Sequence, residues 1–177
     1  AHVPDINDFV KGFSILLNDN GIVTFEFPHL LKLIEENQFD TIYHEHFSYL
    51  SLNTINKIFL KYNLEIFDVE ELDTHGGSLR VFAQKHDSGD KKIHINVKLI
   101  LLKEEKAGLN EKEIFLNFQN EAEKVKLVVA QLVDWLNSNS PPLPSLTMCR
   151  GLSEKLSFAS LSVLPLINAV TVEPLPE

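Results

Sequence analysis

Residues 6–28 read INDFVKGFSILLNDNGIVTFEFP, and this stretch decides the fold class. Ile6, Phe9, Val10, Phe13, Leu16 and Leu17 recur at helical spacing, and Asp5 after Pro4 is a suitable N-cap. Asn18-Asp19-Asn20-Gly21 then predicts a helix end, because Gly and Asn tolerate the left-handed conformation. Ile22–Phe27 reads as a buried strand that Pro28 stops. Helix, short turn and apolar strand make half of a parallel doubly wound unit, so the expected class is α/β. In such sheets the ligand crevice lies at the carboxyl ends of the strands, here around residues 26–30.

Working outward, helices are expected over residues 29–36 and from an Asn53 cap through Tyr62. Residues 64–69 and 78–83 read as two strands joined by the polar His75-Gly76-Gly77 stretch. Long amphipathic patterns cover residues 95–109 and 111–136, which read as structural helices, not membrane or partner helices. Beyond residue 140 the character changes. Residues 141–177 hold five charged side chains (Arg150, Glu154, Lys155, Glu173, Glu177) and six of the eight prolines. No period of 3.6 or 2 is sustained there, which predicts an irregular tail.

The whole chain has 177 residues, 16 Lys+Arg against 25 Asp+Glu, and a net charge of −9. That length suits one domain with a sizeable core, with or without a tail. The negative balance argues against nucleic acid or an anionic membrane as the main partner, because phosphate binding needs clustered cations. One cysteine, Cys149, excludes a disulfide framework and a Cys-based zinc cluster within the chain. No apolar run reaches the roughly 20 residues of a membrane span, and no signal peptide is recognisable, so a cytoplasmic setting is expected. The opening at Ala1 and the count of only 7 Gly suggest a piece of something longer.

Chemistry concentrates in two stretches. Phe39-Asp40-Thr41-Ile42-Tyr43-His44-Glu45-His46-Phe47-Ser48-Tyr49-Leu50-Ser51 sets two imidazoles, a carboxylate and a phenol between aromatic and apolar neighbours. If extended, it points Tyr43 and Glu45 one way and His44 and His46 the other; if turned, it lets three of them converge. Imidazole beside carboxylate suits general-base chemistry, and a phenol can donate to a developing oxyanion. Two readings compete: a hydrogen-bonded structural corner, and a metal-dependent hydrolase using His44 and His46 with a third ligand from His29 or His75. No H-E-x-x-H pattern supports the latter.

The second stretch is Thr74-His75-Gly76-Gly77-Ser78-Leu79-Arg80. Adjacent glycines let backbone approach a ligand, and Ser78 and Arg80 suit hydroxyls or a phosphate. The plainer reading is a tight turn before a strand, with Arg80 solvated. Neither G-x-G-x-x-G nor G-x-x-x-x-G-K-[ST] occurs, so this chain offers no phosphate-cradling loop.

Taken together, His2-Val3-Pro4-Asp5, Glu26-Phe27-Pro28, residues 39–51 and His75–Arg80 resemble one family. It is the class I S-adenosylmethionine-dependent C-methyltransferases acting on nucleotide-linked keto-deoxysugars, and the match runs over residues 1 to about 137. The resemblance implies that residues 1–50 end a Rossmann-like methyltransferase domain and contain the catalytic segment. Residues 51–137 then begin a C-terminal α/β substrate domain, and residues 138–177 form a tail unlike the family. It further implies a zinc-binding N-terminal domain and a glycine-rich cofactor loop that this chain does not include. The implied cofactor is S-adenosylmethionine, with no metal site in the chain itself.

By the same resemblance the reaction is methylation of a carbon next to a ketone through an enolate. His46 is the implied base, Glu45 orients it or shares the role, and Tyr43 holds the substrate oxygen. His44, His75, Gly76, Gly77, Ser78 and Arg80 line the nucleotide-sugar side, and His2 faces the methionine part of the cofactor. The rival outcome is a non-catalytic α/β fragment lacking the cofactor loop. The sugar, the nucleotide, the methylated carbon and the oligomeric state stay open.

Overall fold

A computed structural model describes residues 1–139. They divide between two compact units, the first made of residues 1–38 and 44–110 and the second of residues 39–43 and 111–139. Helix and strand are mixed, as the α/β expectation required.

The first unit opens with α1 (Ile6–Leu16), capped by the Asp5 carboxylate, which accepts from the Asp8 amide at 3.0 Å. The helix buries Val10 and turns Phe9 and Phe13 edge-on to Phe25 of β1 (Ile22–Pro28). Its exit differs from the expected left-handed cap. Leu17 leaves in an extended conformation and the Gly21 amide closes a turn onto the Asn18 carbonyl, with no positive φ over residues 18–21. The left-handed asparagines are Asn37 and Asn63, just after α2 (Leu30–Glu35) and α3 (Leu52–Lys61). The cap of α3 is Ser51, not Asn53: the Ser51 hydroxyl accepts from the Thr54 amide at 3.1 Å. Serine sits where the backbone is still extended, which a cap requires, whereas Asn53 is already helical.

Strands β2 (Leu64–Leu72) and β3 (Ser78–Lys85) form an antiparallel hairpin. Strand β1 pairs antiparallel with the other edge of β3, which gives the order β1-β3-β2. The parallel unit expected from helix, turn and strand is therefore corrected. β1 and β2 do run the same way, but β3 lies reversed between them. The cause is loop length: a parallel return needs a crossover of a dozen or more residues, and residues 73–77 can only reverse the chain. At the carboxyl end of β1, Pro28 lies opposite Ser78, and Ser78 lies opposite Leu72. The expected crevice position thus coincides with the His75–Gly77 turn.

Against one face of this sheet pack α3 and α4 (Ile95–Lys106). Phe59, Leu52, Leu64, Ile66, Leu79, Val81, Ala83, Val97 and Ile100 form a continuous core. Each large apolar side chain buried there contributes roughly 1.5–3 kcal/mol against the chain entropy. Helix α4 ends earlier than the 109 expected. Gly108, at φ 79°, lets the Leu109 amide reach the Glu104 carbonyl and its own amide reach Glu105, the two bonds of a Schellman stop.

The second unit contains the helical turn Phe39–Thr41 and the long α5 (Lys112–Asn139), with Ile42, Phe115 and Phe118 buried. Among the described residues no helix is long and apolar enough to cross a membrane. The irregular tail expected after residue 137 lies, from residue 140 on, outside the described residues.

Candidate functional site

The Tyr43–Ser51 segment is a turn, not a strand, with its bend at His44-Glu45. Its shape comes from the opening of the chain. The Ala1 carbonyl accepts from the Phe47 and Ser48 amides at 2.8 and 3.3 Å, and His2 Nδ1 donates to the Glu45 carbonyl at 3.1 Å. The His2 and His46 rings meet edge-on with centroids 4.8 Å apart, and Tyr49 closes on the other side of His46 at 5.8 Å. His46 is half-buried between them, while His44 and Glu45 are exposed, with Nε2 and Oε1 4.0 Å apart. Tyr43 belongs to the second unit and is also exposed. The structure therefore brings His2, His46 and Tyr49 together. An imidazole packed against rings keeps one orientation, which a proton acceptor needs.

The His75–Gly77 turn is built from three successive positive φ angles: 54° at His75, 75° at Gly76 and 107° at Gly77. Such a run suits glycine, and a histidine placed in it stores strain. The surroundings enforce it. Gln38 Nε2 donates to the Gly76 carbonyl at 2.7 Å, and the Gly77 amide closes onto the Thr74 carbonyl. A Cβ on Gly77 would meet Lys32 Cγ at 2.8 Å. Ser78 is buried and its hydroxyl donates to the Thr74 carbonyl at 3.0 Å, so it fastens the turn from below. His75 is exposed at the tip.

Arg80 stands between two carboxylates, one on each neighbouring strand. Glu26 and Glu70 both lie opposite it in register, and the guanidinium donates to Glu26 Oε2 through Nη2 at 2.9 Å and Nε at 3.2 Å. Glu70 Oε2 lies 3.5 Å from Nη1. The hydrogen bonds from Arg80 hold the Glu26 carboxyl below its ordinary value, with Thr74 adding a further bond.

Three contributors escaped the reading of the sequence: Glu104, Gln38, and His29 in the role it has here. Glu104 falls seven residues after Val97 and four after Ile100, on the buried stripe of α4. A charged residue on an apolar stripe is a visible signal for a specific buried partner. Gln38 carries no pattern of its own, since only the fold brings it to Gly76. No group of three His, Cys, Asp or Glu converges as a metal site among the described residues. The ligand set that a His44/His46 hydrolase requires is thus not assembled there.

Residues 73–141 match the C-methyltransferase C-terminal domain. Over 133 residues, 75% of the chain, the sequence is 38% identical to the C-methyltransferase NovU of Streptomyces niveus. The matched stretch is 31% of that protein, so the chain spans about a third of the length of this curated relative.

Proposed function

The chain belongs to the C-methyltransferase family, and from that premise we propose that it is the catalytic segment and following domain start of an S-adenosylmethionine-dependent enzyme. The proposed substrate is a nucleotide-linked deoxysugar bearing a ketone, methylated at the adjacent carbon. On this reading residues 1–50 end the cofactor domain and residues 51–137 begin the C-terminal domain.

The observation that supports it best is the His2–His46–Tyr49 stack. A fixed imidazole at the mouth of a turn can take the proton from the carbon next to the ketone, and the C–H electron pair becomes the enolate. The exposed Glu45 carboxylate, next in sequence, favours the imidazolium that results. Tyr43 donates to the enolate oxygen, where charge develops. S-adenosylmethionine supplies the electrophilic methyl group for the new C–C bond. Of its contacts this chain offers His2, whose exposed ring is tied to the Glu45 carbonyl and suits the polar methionine end. The strained, glycine-opened turn at residues 75–77 and the Arg80 guanidinium suit the sugar nucleotide; the resemblance adds His44, and the buried Ser78 serves by fastening the turn to the Thr74 carbonyl.

The test is exchange of the substrate's α-hydrogen with deuterated water, without methyl donor, in a full-length enzyme carrying these residues. His46→Ala is expected to slow exchange by about 10²-fold or more while cofactor affinity holds. Tyr43→Phe costs less, since it removes a hydrogen bond and not the base. Normal exchange in His46→Ala transfers the base role to Glu45; normal exchange in both His46→Ala and Glu45→Ala sinks the mechanism.

A further inference from the structure

Glu104 is 2% exposed on α4, and His29, at 1%, follows directly after β1. A carboxylate buried this deeply destabilises the fold unless donors surround it. Glu104 has three. His29 Nε2 donates to Oε1 at 2.8 Å, the Leu52 amide to the same oxygen at 2.6 Å, and the Asn53 amide to Oε2 at 2.9 Å. The last two are the first free amides of α3, and Ser51 takes the third. A negative charge there also opposes the positive end of the helix. Facing a carboxylate, Nε2 of His29 carries a proton, and Nδ1 is buried without a hydrogen-bond partner. That unpaired nitrogen is a cost which the Glu104 bond offsets.

What surrounds this pair gives it meaning. The His29 amide donates to the Gly77 carbonyl at 3.0 Å, and the Leu30 amide to the Leu50 carbonyl at 3.0 Å. His29 and Leu50 form an isolated bridge. Leu50 directly follows Tyr49, which packs on His46, and Leu52 and Asn53 begin α3 two residues later. One buried pair thus grips the end of the His46 segment through Leu50, Leu52 and Asn53. It grips the Gly77 turn through the His29 backbone.

We propose that Glu104 and His29 are positioning residues for the reaction. Neither touches substrate; together they fix the His46 segment and the Gly77 turn in register with each other. This rests on the reading of the site given above. An error of about 1 Å in such a register costs on the order of 10²-fold in rate.

The experiment uses a full-length enzyme carrying these residues and reads steady-state methyl transfer and cofactor binding, with donor-free α-hydrogen exchange alongside. Glu104→Leu keeps the volume and removes every acceptor; it is expected to lower kcat about tenfold or more with both KM values within about twofold. The Leu52 and Asn53 amides should lose protection against hydrogen exchange. Glu104→Gln should recover part of the rate. Its amide oxygen accepts from α3, and its NH₂ donates to His29 Nε2 once the ring moves its proton to Nδ1. His29→Phe, which leaves the Glu104 bonds to α3, should cost about threefold or more and decides the matter if Glu104→Leu does not fold. A kcat loss matched by an equal loss of cofactor-binding stoichiometry would mean a purely structural pair and overturn the proposal. So would parental kcat in both Glu104→Leu and His29→Phe. His46→Ala run alongside separates the two readings. If it and Glu45→Ala both exchange normally, the site assignment fails; if it is slow while the pair variants are not, only the positioning role fails.

Discussion

Arg80 faces Glu26 across the β1–β3 ladder and donates two hydrogen bonds to one oxygen of its carboxylate. The pair sits at the end of the sheet that holds the strained turn, with Glu70 completing a carboxylate–guanidinium–carboxylate row. Any anionic ligand that recruits Arg80 must compete with both carboxylates.

The first prediction follows from that competition. Glu26 is held below its ordinary value chiefly by the Arg80 hydrogen bonds, so its interaction is fully present above the ordinary glutamate range. It is lost as the pH falls through the lowered folded-state value. Carbon-detected NMR titration of the Glu26 carboxyl should show this depressed midpoint, and Arg80→Met should raise it toward the ordinary glutamate value. An unchanged midpoint in Arg80→Met would assign the shift to Thr74 instead.

Gly77 yields the second. Its φ of 107° disfavours any side chain, and a new Cβ would lie 2.8 Å from Lys32 Cγ and 3.0 Å from Lys32 Cβ. Gly77→Ala should therefore destabilise the fold by about 1–3 kcal/mol in urea unfolding. Adding Lys32→Ala removes the Cγ contact but neither the Cβ contact nor the φ strain, so it should restore only part of the loss. Complete restoration would show that the clash alone, not the backbone, requires glycine.

Ser51 and Asn53 make the third. Ser51→Ala deletes the acceptor for the Thr54 amide and should cost about 1 kcal/mol, the usual worth of an N-cap. Asn53→Ala removes only an exposed side-chain bond to Asn110 and should cost a few tenths of a kcal/mol. Equal losses in the two variants would contradict the cap observed here.

These cases show what the sequence could disclose. The period of Ile6 to Leu17 placed α1, and the apolar run after Gly21 placed β1, because periodicity records which face is buried. It does not record the partner. The pairing of β1 with β3 followed from the short 73–77 connection and from a contact some 55 residues distant. The aromatic-and-histidine run at 43–49 was legible as a chemical cluster from composition alone. Its folded shape was not, since the groups that bend it are Ala1 and His2, more than forty residues earlier. The Ser51 cap and the Asn53 expectation differ by two residues, a distance over which both residue types are good caps. Glu104 was readable as a charge out of place, yet only the fold identifies His29 and the start of α3 as its partners.

The last prediction concerns His2, on which two roles converge. The resemblance assigns it to the methionine end of the cofactor, and the structure ties it to the Glu45 carbonyl and sets its ring against His46. The two roles respond differently when the methyl donor is withheld. A residue that only contacts cofactor leaves donor-free α-hydrogen exchange untouched when it is lost and raises only the KM for S-adenosylmethionine. A residue that also orients the base slows that exchange. His2→Ala removes both the Nδ1–H donor and the ring face. In a full-length enzyme with these residues, it should lower donor-free exchange several-fold, perceptibly less than the roughly 10²-fold expected for His46→Ala, because the proposed base itself survives. His2→Asn retains a side-chain N–H that can reach the Glu45 carbonyl and should fall between the two. If His2→Ala exchanges at the parental rate while its KM for cofactor rises, the ring contact with His46 is packing without consequence. His2 is then a cofactor residue alone.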